Sequence, residues 1–199
     1  MKYWFVSDYH LGHSRVLSLC NRPFKNINEH DNVLITNHNS LVTDNDTVID
    51  LGDVGFRCRP EYLADCLSRM NGKRIVILGN HDKPLRQAYK KGLLDRLIER
   101  KKIEIVGGET IVNDKSLAIN KMFTIDGQDI FCSHYAVRSW PNAYRGAFHL
   151  YGHSHNNLPG THKSMDVGVD THNYFPWSFD EIKAKFDLIK EDFSEKRTE

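Results

Sequence analysis

Residues 74–82 read RIVILGNHD, a short apolar run followed at once by a glycine and three polar residues. Apolar, β-branched residues in a run of this length predict a buried strand. Residues 2–6 (KYWFV) and 47–51 (TVIDL) repeat the pattern, and each also ends in small or polar residues. Helical patterns lie between these runs, so the first half of the chain predicts a layered α/β fold.

Three helices are predicted in this half. Residues 28–41 have Asn28 as their N-cap, and residues 60–70 carry an amphipathic apolar stripe. Residues 83–99 are interrupted by Gly92, which predicts two separate helical pieces.

The second half of the chain predicts short strands with few helices between them. A turn at Asp126-Gly127 indicates a hairpin, and Ser178 with Glu181 forms a capping box for a last helix. The strand candidates are residues 103–106, 109–112, 122–125, 129–132, 148–151 and 165–169.

Length and composition restrict the class of protein. A chain of 199 residues with 40% apolar and 27% charged residues predicts one globular domain. We place that domain at residues 1–190 and expect residues 191–199 to form a charged tail. No apolar run approaches the ~20 residues of a membrane span.

Charge and cysteine usage give weaker indications. The 27 basic and 26 acidic residues leave a net charge of +1, which gives little attraction for long duplex nucleic acid. Four scattered cysteines and no signal peptide pattern favour reduced thiols in the cytoplasm. The sequence assigns no oligomeric state.

Chemically versatile side chains cluster where predicted strands end. Ligands collect at the carboxyl ends of strands in open α/β sheets, so these residues are the candidate site. The segments are Asp8-Tyr9-His10, Gly52-Asp53, Gly79-Asn80-His81-Asp82, Ser133-His134 and Gly152-His153-Ser154-His155.

Spacing within these segments suggests shared ligation. Asp8 and His10 are two residues apart, as are His153 and His155, and in extended chain such residues point the same way. Each pair is therefore expected to grip one centre. The glycines at 52, 79 and 152 would let the backbone approach a crowded site closely.

The residue types suit two divalent metal ions. Histidine nitrogen and Asp or Asn oxygen bind Mn, Zn, Fe, Ni, Co and Mg to different degrees, and we favour Mn. Asp53 lies in the middle of the series and is the natural bridge between two ions. Paired ions polarise a substrate oxygen and acidify water for hydrolysis.

The ordered motifs D-x-H, G-D-x, G-N-H-D, a lone H and G-H-x-H resemble those of the calcineurin-like metallophosphoesterases. The resemblance covers residues 8–155. It extends to a group of small bacterial and phage phosphoesterases through DYHLGH at 8–13, RPF at 22–24 and HLYGH at 149–153.

This resemblance implies a four-layer α/β/β/α sandwich of two mixed sheets flanked by helices. It also implies a bridging hydroxide as nucleophile, with His81 as catalytic acid and Asp82 orienting its imidazole. Metal one would be held by Asp8, His10, Asp53 and His155. Metal two would be held by Asp53, Asn80, His134 and His153.

We expect a phosphodiesterase that acts on a small, nucleotide-like ester. Residues 54–57 (VGFR) lack the arginine motif of the protein phosphatases of this family. The alternatives are a phosphomonoesterase of broad specificity and a non-catalytic metal-binding scaffold for protein partners. A nuclease gains little support. The candidate substrate contacts are Arg22, Arg57, Arg138, Trp140 and Tyr144.

Some neighbouring residues have two interpretations. The loop at 135–148 forms either a substrate wall or a packed cover on a small sheet, and Tyr9 either lines the pocket or packs beneath its strand. His149 is either a core residue or a functional one. Ordinary surface or helix positions are expected for His30, His38, His162 and His172.

Overall fold

The computed structural model describes residues 1–114, 119–161 and 163–195, with side chains described as far as residue 188. The strands in these ranges are β1 Tyr3–Val6, β2 Thr47–Asp50, β3 Lys73–Val76, β4 Ile103–Ile105, β5 Asn120–Ile125, β6 Gln128–Ser133, β7 Phe148–Tyr151, β8 Ser164–Asp166 and β9 Trp177–Ser178. The helices are α1 Val16–Leu19, α2 Ile27–Leu41, α3 Pro60–Ser68, α4 Lys83–Lys90, α5 Asp95–Glu99, α6 Gly108–Asn113 and α7 Phe179–Glu195. None of these helices is long and apolar enough to cross a bilayer.

The strands form two mixed sheets, as expected. The first sheet has the order β4-β3-β2-β1-β9, in which β9 alone runs antiparallel to its neighbour. The second has the order β5-β6-β7-β8, with β5 antiparallel and the other three parallel. Because β1, β2 and β3 are parallel, the loops that follow them meet at one edge, and those after β6 and β7 share an edge in the same way.

A buried apolar layer joins the inner faces of the sheets. Alternate residues of each strand point into it, since successive side chains leave a strand on opposite faces. Helix α7 closes one side of the layer with its apolar stripe. The layer includes Phe5, Ile49, Ile77, Ile130, Cys132, Phe148, Leu150, Met165, Phe179, Ile182 and Phe186.

Helices cover the outer face of the first sheet. Val6, Val48 and Val76 of its strands belong to a second core cluster. The helical residues packed in that cluster include Leu34, Leu63, Leu85 and Ile111. The first sheet thus has helices on its outer face, and the expected α/β architecture of two mixed sheets with helices is confirmed.

The outer face of the second sheet is covered by a loop. Trp140 packs against the His149 ring at 5.1 Å between centroids and donates from Nε1 to the carbonyl of Ala147 at 2.9 Å. His149 itself is fully buried. At Trp140, therefore, the loop packs on the sheet, and a substrate contact at this half-buried residue stays a prediction.

Local structure differs from expectation at two places. Residues 109–112, expected as a strand, lie in helix α6, because Ile111 and Val112 pack side by side against the outer core. Helix α2 is capped by Asn26 rather than Asn28: the Asn26 side chain accepts a hydrogen bond from the backbone of Glu29. Residues 109–112 contain only two apolar side chains, Ile111 and Val112, which are too few to separate strand from helix periodicity.

Two elements follow their patterns closely. The helical region after β3 divides into α4 and α5 at Gly92, whose φ of 70° is left-handed. Ser178 Oγ accepts a hydrogen bond from the backbone N–H of Glu181, and the Glu181 carboxylate accepts one from the backbone N–H of Ser178. The capping box is therefore confirmed.

Two of the histidines expected at surface or helix positions lie in helix α2, and their side chains are buried. His38 is fully buried between the Tyr9 hydroxyl and the carbonyl of Asn71. His30 is also fully buried and contacts Asp31 at 2.6 Å. Tyr9, whose hydroxyl contacts His38, therefore packs beneath its strand rather than in a pocket. The prediction for His162 falls outside the described residues.

A buried ion pair beneath the first sheet should control stability. Arg74 donates to Asp50 at 2.5 Å, both side chains are buried, and the guanidinium lies 5.4 Å from the Tyr9 ring. Replacing Arg74 by Leu leaves the Asp50 charge buried without its partner. We expect Arg74→Leu to reduce the free energy of unfolding by about 3–5 kcal/mol.

Urea unfolding of the metal-free chain measures this effect. The matched control is Arg100→Leu, because Arg100 is exposed. That change should alter the unfolding free energy by less than about 0.5 kcal/mol. Equal stabilities of the two variants would contradict the prediction.

Candidate metal centre

The predicted site residues meet at the edge where the two sheets come together. Asp8 and His10 follow β1, and Asp53 follows β2. The loop after β3 supplies Asn80, His81 and Asp82. The loops after β6 and β7 supply His134, His153 and His155.

The first half-site consists of Asp8, His10 and His155. One potential ligand atom from each residue lies within 4.8 Å of the others. Asp8 Oδ1 and His10 Nε2 are 3.9 Å apart, and both side chains are buried. This is a compact set of one oxygen and two nitrogen donors.

The second half-site consists of Asp53, His134 and His153, whose ligand atoms also lie within 4.8 Å of one another. Asn80 Oδ1 is 2.9 Å from His134 Nε2 and adds an oxygen. The His134 Nδ1 donates to the carbonyl of Leu51 at 2.7 Å, which turns its Nε2 towards the other ligand atoms.

Asp53 joins the two half-sites. Its Oδ2 lies 3.6 Å from His10 Nε2 in the first and 3.5 Å from His134 Nε2 in the second. The other oxygen, Oδ1, accepts from the backbone N–H of His81 at 2.8 Å. One carboxylate oxygen is thus shared between the two half-sites.

The chemistry of the first half-site fits a divalent cation. Asp8 Oδ1 and both ring nitrogens of His10 are buried without a hydrogen-bond partner in the described part of the chain. Unsatisfied buried polar atoms cost about 1–3 kcal/mol each, so their retention needs a compensating ligand. Burial lowers the pKa of His10 to about 2, which keeps the imidazole neutral, the form that binds metal.

The second half-site is an ion pair without metal. Burial would lower the pKa of His134, but the hydrogen bond and charge of Asp53 outweigh it and raise that pKa to about 9. The same partner holds the pKa of Asp53 at about 2 despite its burial. A cation bound here would displace the proton of His134, so binding should release protons.

The backbone is left-handed at five of these ligands. The φ angles are 61° at Asp8, 52° at His10, 54° at Asp53, 67° at His153 and 46° at His155. Non-glycine residues adopt this region rarely and at an energetic cost, and such strain concentrates at functional sites.

This backbone corrects one expectation about spacing. Asp8 and His10 do lie in one half-site, but His153 and His155 lie in different ones. Left-handed φ angles at both residues break the extended geometry that would have kept the two side chains together. A Cβ on residue 152 would also lie 2.7 Å from Asp8 Oδ2. As expected, therefore, only glycine lets the backbone at this position approach Asp8 closely.

His81 and Asp82 have separate surroundings. The His81 ring lies 4.0 Å from the Phe56 ring, tilted by 37°. Asp82 is buried and accepts hydrogen bonds from the backbone of Asp53, Val54 and Gly79. Because both its oxygens bind backbone, Asp82 holds the loops after β2 and β3 together, and the expected orientation of the His81 imidazole by Asp82 is wrong.

Asp170 is the site residue that the sequence analysis missed. Its Oδ2 lies 2.7 Å from His155 Nδ1. A carboxylate accepts, so Nδ1 carries a proton, and Nε2 is the ring atom that would bind a metal after losing its own proton. Although burial opposes ionisation, His155 and Arg22 hold the pKa of Asp170 at about 2. Its only signal in the sequence was an acidic side chain directly after the predicted strand at residues 165–169.

Arg22 supports Asp170 and cannot bind a phosphate. Its guanidinium is buried and donates twice to Asp170, at 2.8 and 2.7 Å. It also donates to the carbonyls of Tyr9 and Asp8 and contacts His30 Nε2. All five N–H donors are therefore used within the protein, and the expectation of a substrate contact at Arg22 is wrong.

We expect Asp170→Asn to weaken metal binding at the first half-site. The amide keeps the shape of the side chain but removes the charge that orients and polarises His155. Loss of such a partner costs about 10–100-fold in metal affinity. Competition titration with a chelator measures this affinity in folded protein, and Asp126→Asn, an exposed turn residue, is the control. Unchanged affinity in Asp170→Asn would contradict the prediction.

His149 contacts the residue that precedes His134, a candidate ligand of the second half-site. Its ring lies between the hydroxyls of Ser133, at 3.1 Å, and Ser164, at 2.8 Å. Burial lowers its pKa to about 4, so the imidazole is neutral. Because Ser133 precedes His134, this chain of contacts anchors a ligand-bearing strand to its neighbours, and His149 is a core residue.

A cleft of about 540 Å³ opens beside the second half-site. None of the expected substrate residues is among its described lining. Arg57 is exposed with its guanidinium 5.2 Å from the Phe56 ring, while Arg138 and Tyr144 are exposed on the loop after β6. The lining residues are Phe56, Leu78, Gly79, Asn80, His81, Lys83, Arg86, Ile119, Asn120, Phe131, Ser133, His134, Tyr135 and Val137.

Comparison with known proteins identifies relatives over the length of the chain. It is 32% identical over 189 residues to the uncharacterized protein MJ1445 of Methanocaldococcus jannaschii, covering 91% of this chain and 89% of that protein. It is 27% identical over 209 residues to the Gene 66 protein of Mycobacterium phage D29, covering 94% and 97%.

The fold has a solved counterpart in AQ665 from Aquifex aeolicus, a protein of unknown function. The two share 20% identity with a TM-score of 0.60, over 92% of this chain and 98% of the other. The family model described as calcineurin-like phosphoesterase matches residues 1–181. Together with the ordered motifs and the fold, this match shows that the chain belongs to the calcineurin-like phosphoesterase family.

Proposed function

We propose that this protein is a binuclear metal-dependent phosphodiesterase that hydrolyses a small, nucleotide-like ester. The observation that carries the proposal is the position of Asp53, whose Oδ2 lies about equally far from a histidine of each half-site. Shared carboxylates of this kind are suited to holding two cations close together.

Metal one would be held by Asp8, His10, Asp53 and His155, and metal two by Asp53, Asn80, His134 and His153. When bound, the ions supply Lewis acidity and an activated water. We favour Mn, with Zn, Fe, Ni, Co and Mg as alternatives, because the donors are nitrogen and oxygen.

The chain's own catalytic group in this proposal is His81. It borders the cleft, its ring packs on Phe56, and the ring centroid lies 5.6 Å from that of His10 in the first half-site. There it donates a proton to the oxygen of the departing alcohol. Asp82 keeps His81 in place indirectly, by tying the backbone of the preceding Gly79 to that of Asp53.

A diester is favoured over a monoester because of the cleft. A diester carries two organic groups, and the cleft offers one of them a partly apolar site of the size typical for small ligands. A monoesterase of broad specificity would need no such site. A non-catalytic scaffold is disfavoured by the presence of every ligand and of His81.

Cysteine pairing and net charge support the proposed location and the proposed class of partner. All four cysteines are unpaired, which supports a reducing, cytoplasmic location. The near-neutral charge supports a small phosphoester rather than long duplex nucleic acid as partner.

Elemental analysis combined with two chromogenic substrates tests the proposal. We expect two bound ions per chain, and a higher kcat/KM on bis-p-nitrophenyl phosphate than on p-nitrophenyl phosphate. A preference for the monoester would favour the broad monoesterase instead. Bound metal without activity on either compound would favour the scaffold.

A further inference from the structure

We propose that the cleft beside the second half-site binds the leaving group of the diester, and that this group is a nucleoside. The inference rests on the proposed function and adds a direction to it. One organic group lies in the cleft and departs as the free alcohol, while the other stays on phosphorus.

The cleft is lined by aromatic side chains and by polar residues of the second half-site. Phe56, Phe131 and Tyr135 supply aromatic rings, and Asn80 and His134 of the second half-site form part of the lining. Aromatic side chains stack on nucleobases without demanding one sequence, because every base has a π-face. A planar heteroaromatic group therefore suits these walls.

Tyr135 connects the cleft to the metal ligands. Its ring centroid lies 5.1 Å from that of His134 and 4.7 Å from that of His153. The side chain is nevertheless 45% exposed, and Val137 two residues later is 36% exposed. An aromatic residue open to solvent beside two candidate ligands can contact a substrate held at the second half-site.

Charge in the cleft admits a phosphoester. Lys83 is exposed at its border, and no carboxylate side chain is among the described lining residues. Arg86 is occupied elsewhere, since its guanidinium donates to the carbonyls of Ile111 and Asp114. Lys83 is thus the side chain best placed to attract a phosphate without repelling the neutral nucleoside.

The position of His81 sets the direction. A general acid must lie within hydrogen-bond reach of the oxygen that it protonates. Since His81 borders the cleft, the protonated oxygen is the one attached to the group in the cleft.

The atoms balance in a single hydrolysis. Water adds its oxygen to phosphorus, and the bond from phosphorus to the cleft-side oxygen breaks. That oxygen takes the proton of His81, and the proton lost by water replaces it. The products are a nucleoside and a phosphomonoester of the other alcohol.

The methyl ester of adenosine 5′-monophosphate distinguishes the two directions, because its two alcohols are comparable leaving groups. We expect the Mn-loaded enzyme to release adenosine and methyl phosphate at least about tenfold faster than adenosine monophosphate and methanol. Adenosine monophosphate as the main product would overturn the inference.

Variants of the cleft walls give the second readout. Tyr135→Ala should raise KM for this ester by about tenfold, whereas Tyr135→Phe keeps the ring and should stay near wild type. Leu188→Ala is the control, because Leu188 lies on helix α7, is 67% exposed and is not among the described lining of the cleft. Phe131→Leu repeats the test at a wall without contact to a candidate ligand. Unchanged KM in both wall variants would also overturn the inference.

Failure of the inference and of the proposed function can be told apart. Hydrolysis of bis-p-nitrophenyl phosphate without hydrolysis of the methyl ester overturns the inference alone. If no phosphoester is hydrolysed, the proposed function fails, and binding of adenosine to the metal-free chain tests the cleft by NMR titration. Tyr135→Ala should then weaken that binding at least threefold relative to Leu188→Ala, and equal affinities would overturn the cleft assignment.

Discussion

Asp53→Asn is expected to remove metal from both half-sites at once. The substitution keeps the size of the side chain and its acceptor for the backbone of His81, but it removes the negative charge between His10 and His134. A bridging carboxylate contributes to both ions, so the loss should exceed the 10–100-fold that a supporting residue costs. Elemental analysis after dialysis should find little or no bound metal, and activity should fall with it.

The control for this experiment is Asp126→Asn, which makes the same chemical change at an exposed turn. It should retain two ions per chain. If Asp53→Asn kept one ion at full affinity, Asp53 would belong to a single half-site and the bridging arrangement would be wrong.

His81→Ala should lower kcat by about 10²–10⁴ while the bound metal stays in place. The reason is that His81 hydrogen-bonds Asp53 only through its backbone N–H, while its ring lies beside the His10 ring, 5.6 Å between centroids, and belongs to neither half-site. The loss should be large for a nucleoside or alkyl leaving group and small for p-nitrophenolate, which departs without a proton.

This dependence on the leaving group distinguishes an acid from a structural residue. A general disturbance of the site would slow both kinds of substrate equally. His172→Ala serves as the control, because His172 stacks on Trp177 and belongs to neither half-site. Loss of metal in His81→Ala would instead make His81 a ligand.

The gathering of the candidate ligands could be predicted because each follows a strand. The apolar runs before Asp8, Asp53 and Asn80 identify parallel strands, and parallel strands place the loops that follow them at one edge. Distribution of the ligands between two half-sites required the resemblance to a family, since His153 and His155 diverge for reasons of backbone conformation.

The supporting residues could not be predicted in this way. Asp170 contacts Arg22 across 148 positions of sequence, and neither belongs to a motif that spacing alone would reveal. For Asp82, closeness in sequence to His81 suggested a contact that the structure does not have. It follows His81 in the chain, but three backbone N–H groups compete for its carboxylate and turn it inward.

The partnership of Asp170 with His155 would place metal binding at the first half-site late in the synthesis of the chain. During synthesis Asp8 leaves the ribosome first, and the first half-site is complete in ligands only after His155 has followed. Its orienting carboxylate arrives later still, just before the strand Trp177–Ser178 pairs beside Tyr3–Val6. A nascent chain stalled between residues 155 and 170 would carry every ligand and still bind its first ion weakly. Binding of an ion at the proposed first half-site would therefore follow the synthesis of residue 170 as well as folding.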